Sequence, residues 1–253
     1  MTISDKVWTR YLTALRRMSD EAAAAMTRWM GSHDFSTYEG KQALIRYAYA
    51  LATKYGEGAG ALACQMYDAL AELSNVTLPP AVPAATATMQ ETARAVMGTL
   101  NQDPSGAITA DTVGRLARLA GVDTTMQNAI RDGAEWAWIP RGDTCAFCIA
   151  LASSGWQPAT RAALKGGHAE HVHANCDCTY AVRFDRYSGV AGYDPDRYKE
   201  MYDDSPGRSS QDKINAMRRK FYAENREEIN EQKRSNYAKR QERESSAAEE
   251  TDV

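Results

Sequence analysis

Cys145-x-x-Cys148 and Cys176-x-Cys178 account for four of the chain's five cysteines, and His168, His171 and His173 stand just ahead of the second pair. Zinc takes four nitrogen or sulfur ligands in a tetrahedron, and thiolates separated by two residues on a tight turn fill two corners without strain. Cys176 and Cys178 occupy alternate positions, so at the start of a strand both side chains face the same side. His173 lies three residues before Cys176 and competes for a corner. Cys145, Cys148, His173, Cys176 and Cys178 are therefore five candidates for four places around one structural zinc ion. Iron–sulfur binding fits less well, because the spacings match neither common ferredoxin run.

Two other chemistries can be built from the same residues. A hydrolytic zinc keeps one position open for water and has an acid or base beside it. Glu170, His168 and His171 are the groups that would serve a zinc-dependent nuclease or hydrolase. A sulfur-rich closed shell favours a structural ion instead, so no enzymatic activity is expected. A zinc-containing DNA-binding protein is the other alternative. Residues 136–186 carry Arg141, Arg161, Lys165, Arg183 and Arg186 against Asp143, Glu170, Asp177 and Asp185. Metal-bound thiolates would cancel that small surplus, and duplex binding needs clustered cations.

The chain has 253 residues, 43% of them hydrophobic and 25% charged, which is the composition of a globular fold with a real core. A formal net charge of -3 gives no global pull toward nucleic acid, so polyanion binding requires a local patch. Asp5, Lys6, Arg10, Arg16 and Arg17 interrupt the N-terminal stretch, which lacks the apolar region of a secretory signal. No apolar run approaches the roughly 18 to 20 residues that cross a bilayer. The expectation is a cytoplasmically made protein without a membrane partner, whose thiols stay reduced and serve as ligands rather than disulfides. Cys64, among Leu62, Met66 and Leu70, is expected in the core.

The elements that must position these ligands are mostly helical. Val7, Tyr11, Leu15, Met18, Ala22, Ala25 and Trp29 recur at steps of three and four and lay one stripe along a helix from Ser4 to Met30. Ser36 and Glu39 form a capping-box pattern ahead of a second stripe, Leu44, Tyr47, Leu51 and Tyr55. Gly56, Gly58 and Gly60 either interrupt that helix or admit a close neighbour before Leu62, Met66, Tyr67, Leu70 and Leu73 resume it. Pro79, Pro80 and Pro83 make a stiff linker and a candidate boundary. Further helices are expected around Met89 to Leu100, from Val113 to a stop at Gly121, and from Thr124 to Ala134. Trp136 to Pro140 and Thr179 to Phe184 read as strands.

After Pro206 the apolar residues thin to Ile214, Met217, Phe221 and Ile229, which predicts a long charged helix from about Ser209 to Arg243. Arg219, Arg226, Lys233 and Arg240 fall at intervals of seven and would form a cationic line along one face, a possible polyanion contact. The ordinary alternative is a solvated helix of mixed charge. The fold class is thus mainly α: an N-terminal helical hairpin (1–78), a helical region (84–135), a small α+β zinc-stabilised module (136–190) and a long charged C-terminal helix (207–253).

Cys145-Ala-Phe-Cys148-Ile-Ala-Leu-Ala-Ser, then His173-Ala-Asn-Cys176-Asp-Cys178-Thr and the strand ending at Phe184, resemble the phage Mu F-like minor capsid family, also called phage head morphogenesis proteins. The resemblance is to the versions in phages of Gram-positive hosts, and it covers the cysteine module best. That family often has proline after the first cysteine and after the histidine, and a basic residue between the last two cysteines, where this chain has Ala146, Ala174 and Asp177. The resemblance implies a structural virion component, made in the host cytoplasm and incorporated near the portal vertex. Its implied partners are portal, major capsid or scaffold protein, with packaged DNA as a contact of the C-terminal helix.

Overall fold

The computed structural model describes residues 2–103, 106–140, 145–162, 179–227, 230–231 and 234. The chain is mainly helical and divides into two compact units. One comprises residues 1–144 and 154–195, the other residues 145–153 and 196–253.

The larger unit is built on four helices. Helix α1 (Asp5–Met30) starts where the Ser4 hydroxyl accepts a hydrogen bond from the Val7 N–H. Its buried face is Trp8, Tyr11, Leu12, Leu15, Ala22, Ala25, Met26 and Met30, so the expected stripe holds in its middle while Val7 turns outward. Helix α2 (Tyr38–Leu73) is capped by Thr37, whose hydroxyl accepts from Gly40 N–H at 3.1 Å; the cap is one residue later than the Ser36 pattern indicated. Asp34 instead accepts the Ser36 N–H. Cys64 on α2 is half-buried rather than a core residue. Helix α3 (Met89–Gln102) opens with a reciprocal box between Thr88 and Glu91. Helix α4 (Ala107–Asp132) runs unbroken through Gly121, where a stop was expected, and ends at Gly133 in the left-handed conformation.

Gly121 does not end a helix because its missing side chain is used for approach. A Cβ there would lie 3.0 Å from the Ala59 carbonyl oxygen of α2, and one at Gly114 would lie 2.6 Å from the Ser19 carbonyl oxygen of α1. Ala110, Val113, Ala117 and Ala120 are buried beside them, and residues all around α4 are buried. A helix buried on every side has no amphipathic stripe, which is why periodicity missed its continuity. Around it Met26, Leu44, Ile45, Leu51, Val96 and Leu100 form one apolar cluster with Val113.

The proline stretch between α2 and α3 is a strap bonded to α4. Val82 N–H donates to Asn128 Oδ1 at 2.9 Å and the Asn128 amide donates back to Val82 O at 2.8 Å. Ala84 N–H donates to Thr124 Oγ1 at 2.9 Å, and Arg131 donates to the Pro79 and Pro80 carbonyls, each at 3.0 Å. Prolines leave the backbone few donors, so side chains of α4 supply the pairing a strand partner would otherwise give. Gly56 and Gly60 of α2 make room for it. A Cβ at Gly56 would meet Thr86 Cγ2 at 2.9 Å, and one at Gly60 would meet Pro83 Cβ at 3.3 Å.

Strand β1 (Thr2–Ile3), strand β2 (Glu135–Ile139), strand β3 (Gln157–Pro158), strand β4 (Thr179–Arg183) and strand β5 (Gly189–Val190) complete the unit. β2 is central in an antiparallel β3-β2-β4 sheet, with Glu135 opposite Arg183 and Ile139 opposite Thr179. β1 pairs in parallel with β5. Tyr67 of α2 donates to Asp132 Oδ2 at 2.8 Å and meets Phe184 edge-on at 5.3 Å. Arg131 grips both Asp132 oxygens at 2.7 Å, and this pairing holds the Asp132 carboxyl below the usual carboxylate range, with the Tyr67 hydroxyl acting in the same direction.

The smaller unit packs helix α5 (Ala146–Ala152), helix α6 (Pro195–Asp203) and helix α7 (Ser210–Glu224) around Ala146, Ile149, Ile214 and Met217, with Phe147, Ala150, Tyr198 and Tyr202 against them. Ser209 and Asp212 form a capping box at the start of α7. Lys213 of α7 donates to the Tyr202 and Asp203 carbonyls at the end of α6, each at 3.3 Å.

Gly114→Val is expected to cost about 1–3 kcal/mol by overpacking the α1–α4 crossing. Gly98→Ala on the exposed face of α3, where a Cβ meets nothing within 4 Å, should leave stability unchanged or raise it by up to about 1 kcal/mol. Urea midpoints of the two variants check the contrast. Because the folded-state pKa of Asp132 is depressed, its contribution is present above the unfolded value of about 3.9 and is lost as pH falls through the folded value. Asp132→Asn should therefore reduce stability at neutral pH by about 1–3 kcal/mol and flatten the acid limb of the stability curve.

Candidate functional site

Two of the five candidate ligands lie among the described residues. Cys145 is the N-cap of α5 and Cys148 is its third helical residue. N-cap and third-position side chains are neighbours at a helix start, the relation on which a capping box depends. That geometry suits two corners of one tetrahedron. Cys145 is half-buried and Cys148 is 1% exposed. α5 is held by Ala146 and Ile149 against Ile214 and Met217 of α7, so the pair sits on a fixed element of the smaller unit.

His173, Cys176 and Cys178 lie outside the described residues, as do His168, Glu170 and His171. Among the described residues no group of three or more His, Cys, Asp or Glu is placed to hold an ion. Cys178 is the residue immediately before Thr179, the last rung of the β2–β4 ladder, and Thr179 is buried opposite Ile139.

The ladder leading to that rung is stiffened by aromatic packing. The Tyr180 ring stands edge-on to Trp136 and to Trp138, with centroids 4.8 Å away in each case, and burial pushes its hydroxyl pKa up. Trp138 is 1% exposed. At the other end Arg183 Nε donates to Glu135 Oε2 at 2.7 Å, and the guanidinium lies 4.7 Å over the Trp156 ring. Trp156 in turn meets Tyr193 edge-on at 5.8 Å. The sequence pointed to both strands, whereas the ion pair and the stack joining them depend on register.

Of the four residues of the cationic line, Arg219 and Arg226 lie among the described residues. α7 carries Arg219 but ends at Glu224, where the Asn225 N–H and side-chain amide both return to the Phe221 carbonyl. Such side-chain bonding competes with helix continuation. Arg226 follows that cap, and Lys233 and Arg240 lie outside the described residues. The basic group that α7 does present is Arg218, Arg219 and Lys220, all exposed, next to Phe221 at 49% and Tyr222 at 42% exposure.

Sequence reasoning passed over two clefts of the larger unit. One, of about 630 Å³, lies between the strap and α4 and is lined by Thr86, Glu91, Arg115, Leu119, Asp123 and Gln127. The other, of about 450 Å³, is formed by the α1–α2 turn and the end of α3. Their residues come from segments far apart in the chain, so no local motif marks them. No helix among the described residues is long and apolar enough to cross a membrane.

A family model described as VG15 protein matches residues 2–205, which takes in both the four-helix region and the cysteine-bearing α5. No curated protein and no solved structure matches the chain. With most of its length matched, the chain belongs to the VG15 family, a phage family.

Proposed function

We propose that this phage protein is a minor component of the head, acting in head morphogenesis by binding portal, major capsid or scaffold surfaces rather than by turnover. The observation that carries the reading is the phage family match running from the first helix to past α6. The resemblance of the Cys145–Cys148 and His173–Cys178 stretches to Mu F-like minor capsid proteins refines it to the head and to a place near the portal vertex. The protein would be made in the host cytoplasm and carried in the virion.

A structural zinc ion belongs to the same proposal. Cys145 and Cys148, adjacent on the first turn of α5, fit two thiolate corners, and His173, Cys176 and Cys178 are the remaining candidates. When bound, zinc would supply a tie between stretches of chain remote in sequence. The protein's part is to present the first two ligands on a helix whose apolar face is already docked. With Ala146, Ile149, Ile214 and Met217 as its buried apolar cluster, the smaller unit has the thin core that a metal supplements.

A DNA contact is favoured by the exposed Arg218, Arg219 and Lys220 beside Phe221 and Tyr222, since cations with neighbouring aromatic rings suit a nucleic-acid backbone and its bases.

Mass spectrometry of purified virions should find the protein at low copy; its absence from virions and from proheads would reject the head assignment. Reduced, purified protein should carry about one zinc per chain, lost in Cys148→Ser and in Cys176→Ser, with a lower thermal midpoint in chelator. For the DNA contact, duplex affinity should fall with salt, and Arg219→Ala should reduce the log–log slope by about 1. An unchanged slope removes that contact.

A further inference from the structure

The cleft beside the α1–α2 turn has a floor of Phe35, Met97 and Leu100 and a rim of His33, Asp34, Ser36, Lys41 and Asn101. Its volume of about 450 Å³ and its apolar floor with a few converging polar groups are those of a binding site. Lys41 is half-buried on the first turn of α2, and among the described residues its ammonium has no hydrogen-bond or ion-pair partner. Asn101, at the end of α3, likewise keeps its side-chain amide unengaged. The one carboxylate on the rim, Asp34, is turned onto the Ser36 N–H at 2.8 Å, which holds it below the usual carboxylate range.

His33 is fixed in place. Its ring stacks on Trp29 at 4.2 Å and 9°, and Trp29 stacks in turn on Tyr47 at 5.4 Å. His33 Nδ1 is 2.9 Å from the Trp29 carbonyl oxygen. The same nitrogen is 2.9 Å from Ser32 Oγ, so Nδ1 is engaged within its own turn. The rim therefore offers a cation and an amide that donates and accepts together. An amide side chain with both functions matches a peptide group, whereas a simple acid uses only the cation.

We propose that this cleft receives an acidic–apolar segment of a partner protein, its apolar side chain on Phe35, Met97 and Leu100, its carboxylate on Lys41 and an adjoining main-chain amide on Asn101. Lys41 selects the acid, because its ammonium has no ion-pair partner among the described residues, while the Asp34 carboxylate, still an anion, is turned to the Ser36 N–H rather than to Lys41. The apolar floor selects the neighbour of that acid. The inference needs a protein partner but not the head-assembly reading, and its test does not involve the zinc ligands or α7.

The test is a titration of the full, 15N-labelled chain with the blocked peptide acetyl-Gly-Leu-Glu-Gly-amide, its Gln counterpart and the free acid 3-phenylpropionate. The Glu peptide should shift the Phe35, Lys41 and Leu100 amides saturably and bind several-fold more tightly than the Gln peptide. Lys41→Gln should close that gap while leaving the thermal midpoint unchanged. Absence of saturable shifts at these amides, equal affinity for the two peptides, or a gap that survives Lys41→Gln each overturns the site. Free acid binding as tightly as the Glu peptide overturns the assignment to a peptide.

Discussion

The larger unit depends on helix axes that approach so closely that a side chain at the crossing would collide with backbone. At Gly114 and Gly121 the carbonyl oxygens of α1 and α2 occupy the space that a Cβ would fill. This contact makes α4 the shared wall of the bundle, with α1 and α2 against its small residues and α3 along another side. Close approach multiplies weak dispersion contacts and leaves little void, while each added carbon is resisted by backbone that cannot turn aside. Registration of the cluster around Leu44, Val96 and Val113 follows from that depth of packing.

Burying α4 on all sides also decides where its polar residues can go. Thr124 and Asn128 are buried, and each is bonded both to the α4 backbone and to the strap. A buried amide or hydroxyl without partners costs free energy, and a proline-rich segment without partners would leave its carbonyls unpaired. Each satisfies the other. The strap is therefore part of the bundle's polar pairing, with Gly56 and Gly60 giving it room. In the last turn of α4, the Asp132–Arg131–Tyr67 network ties α2 to the same helix, and Phe184 closes onto Tyr67 from beyond β4.

The smaller unit uses a different balance. Its helices are short, α6 has no fully buried residue, and the order of its parts comes from Ile149 against Ile214 and Met217 together with Lys213 closing the end of α6. Within it, α5 holds two thiols at one helix start. A rigid seat for the first ligand pair is useful whichever of the remaining candidates joins it, because ligand geometry then costs less entropy to organise.

Local pattern alone determined a good deal: the helix starts at Ser4 and Ser209, strands within a residue of Glu135–Ile139 and Thr179–Arg183, and helices wherever one face is apolar and the other polar. Those features are encoded within a few residues by side-chain hydrogen bonding and by the 2.0 and 3.6 periods. Only the tertiary structure decided that Gly121 and the glycines of α2 are crossing points, since a glycine reads the same in sequence whether it stops a helix or admits a neighbour. It likewise decided that Lys41, His33 and Asn101 rim a cleft floored by Phe35 and Leu100. That cleft joins segments about sixty residues apart, a proximity carried by packing and by no motif.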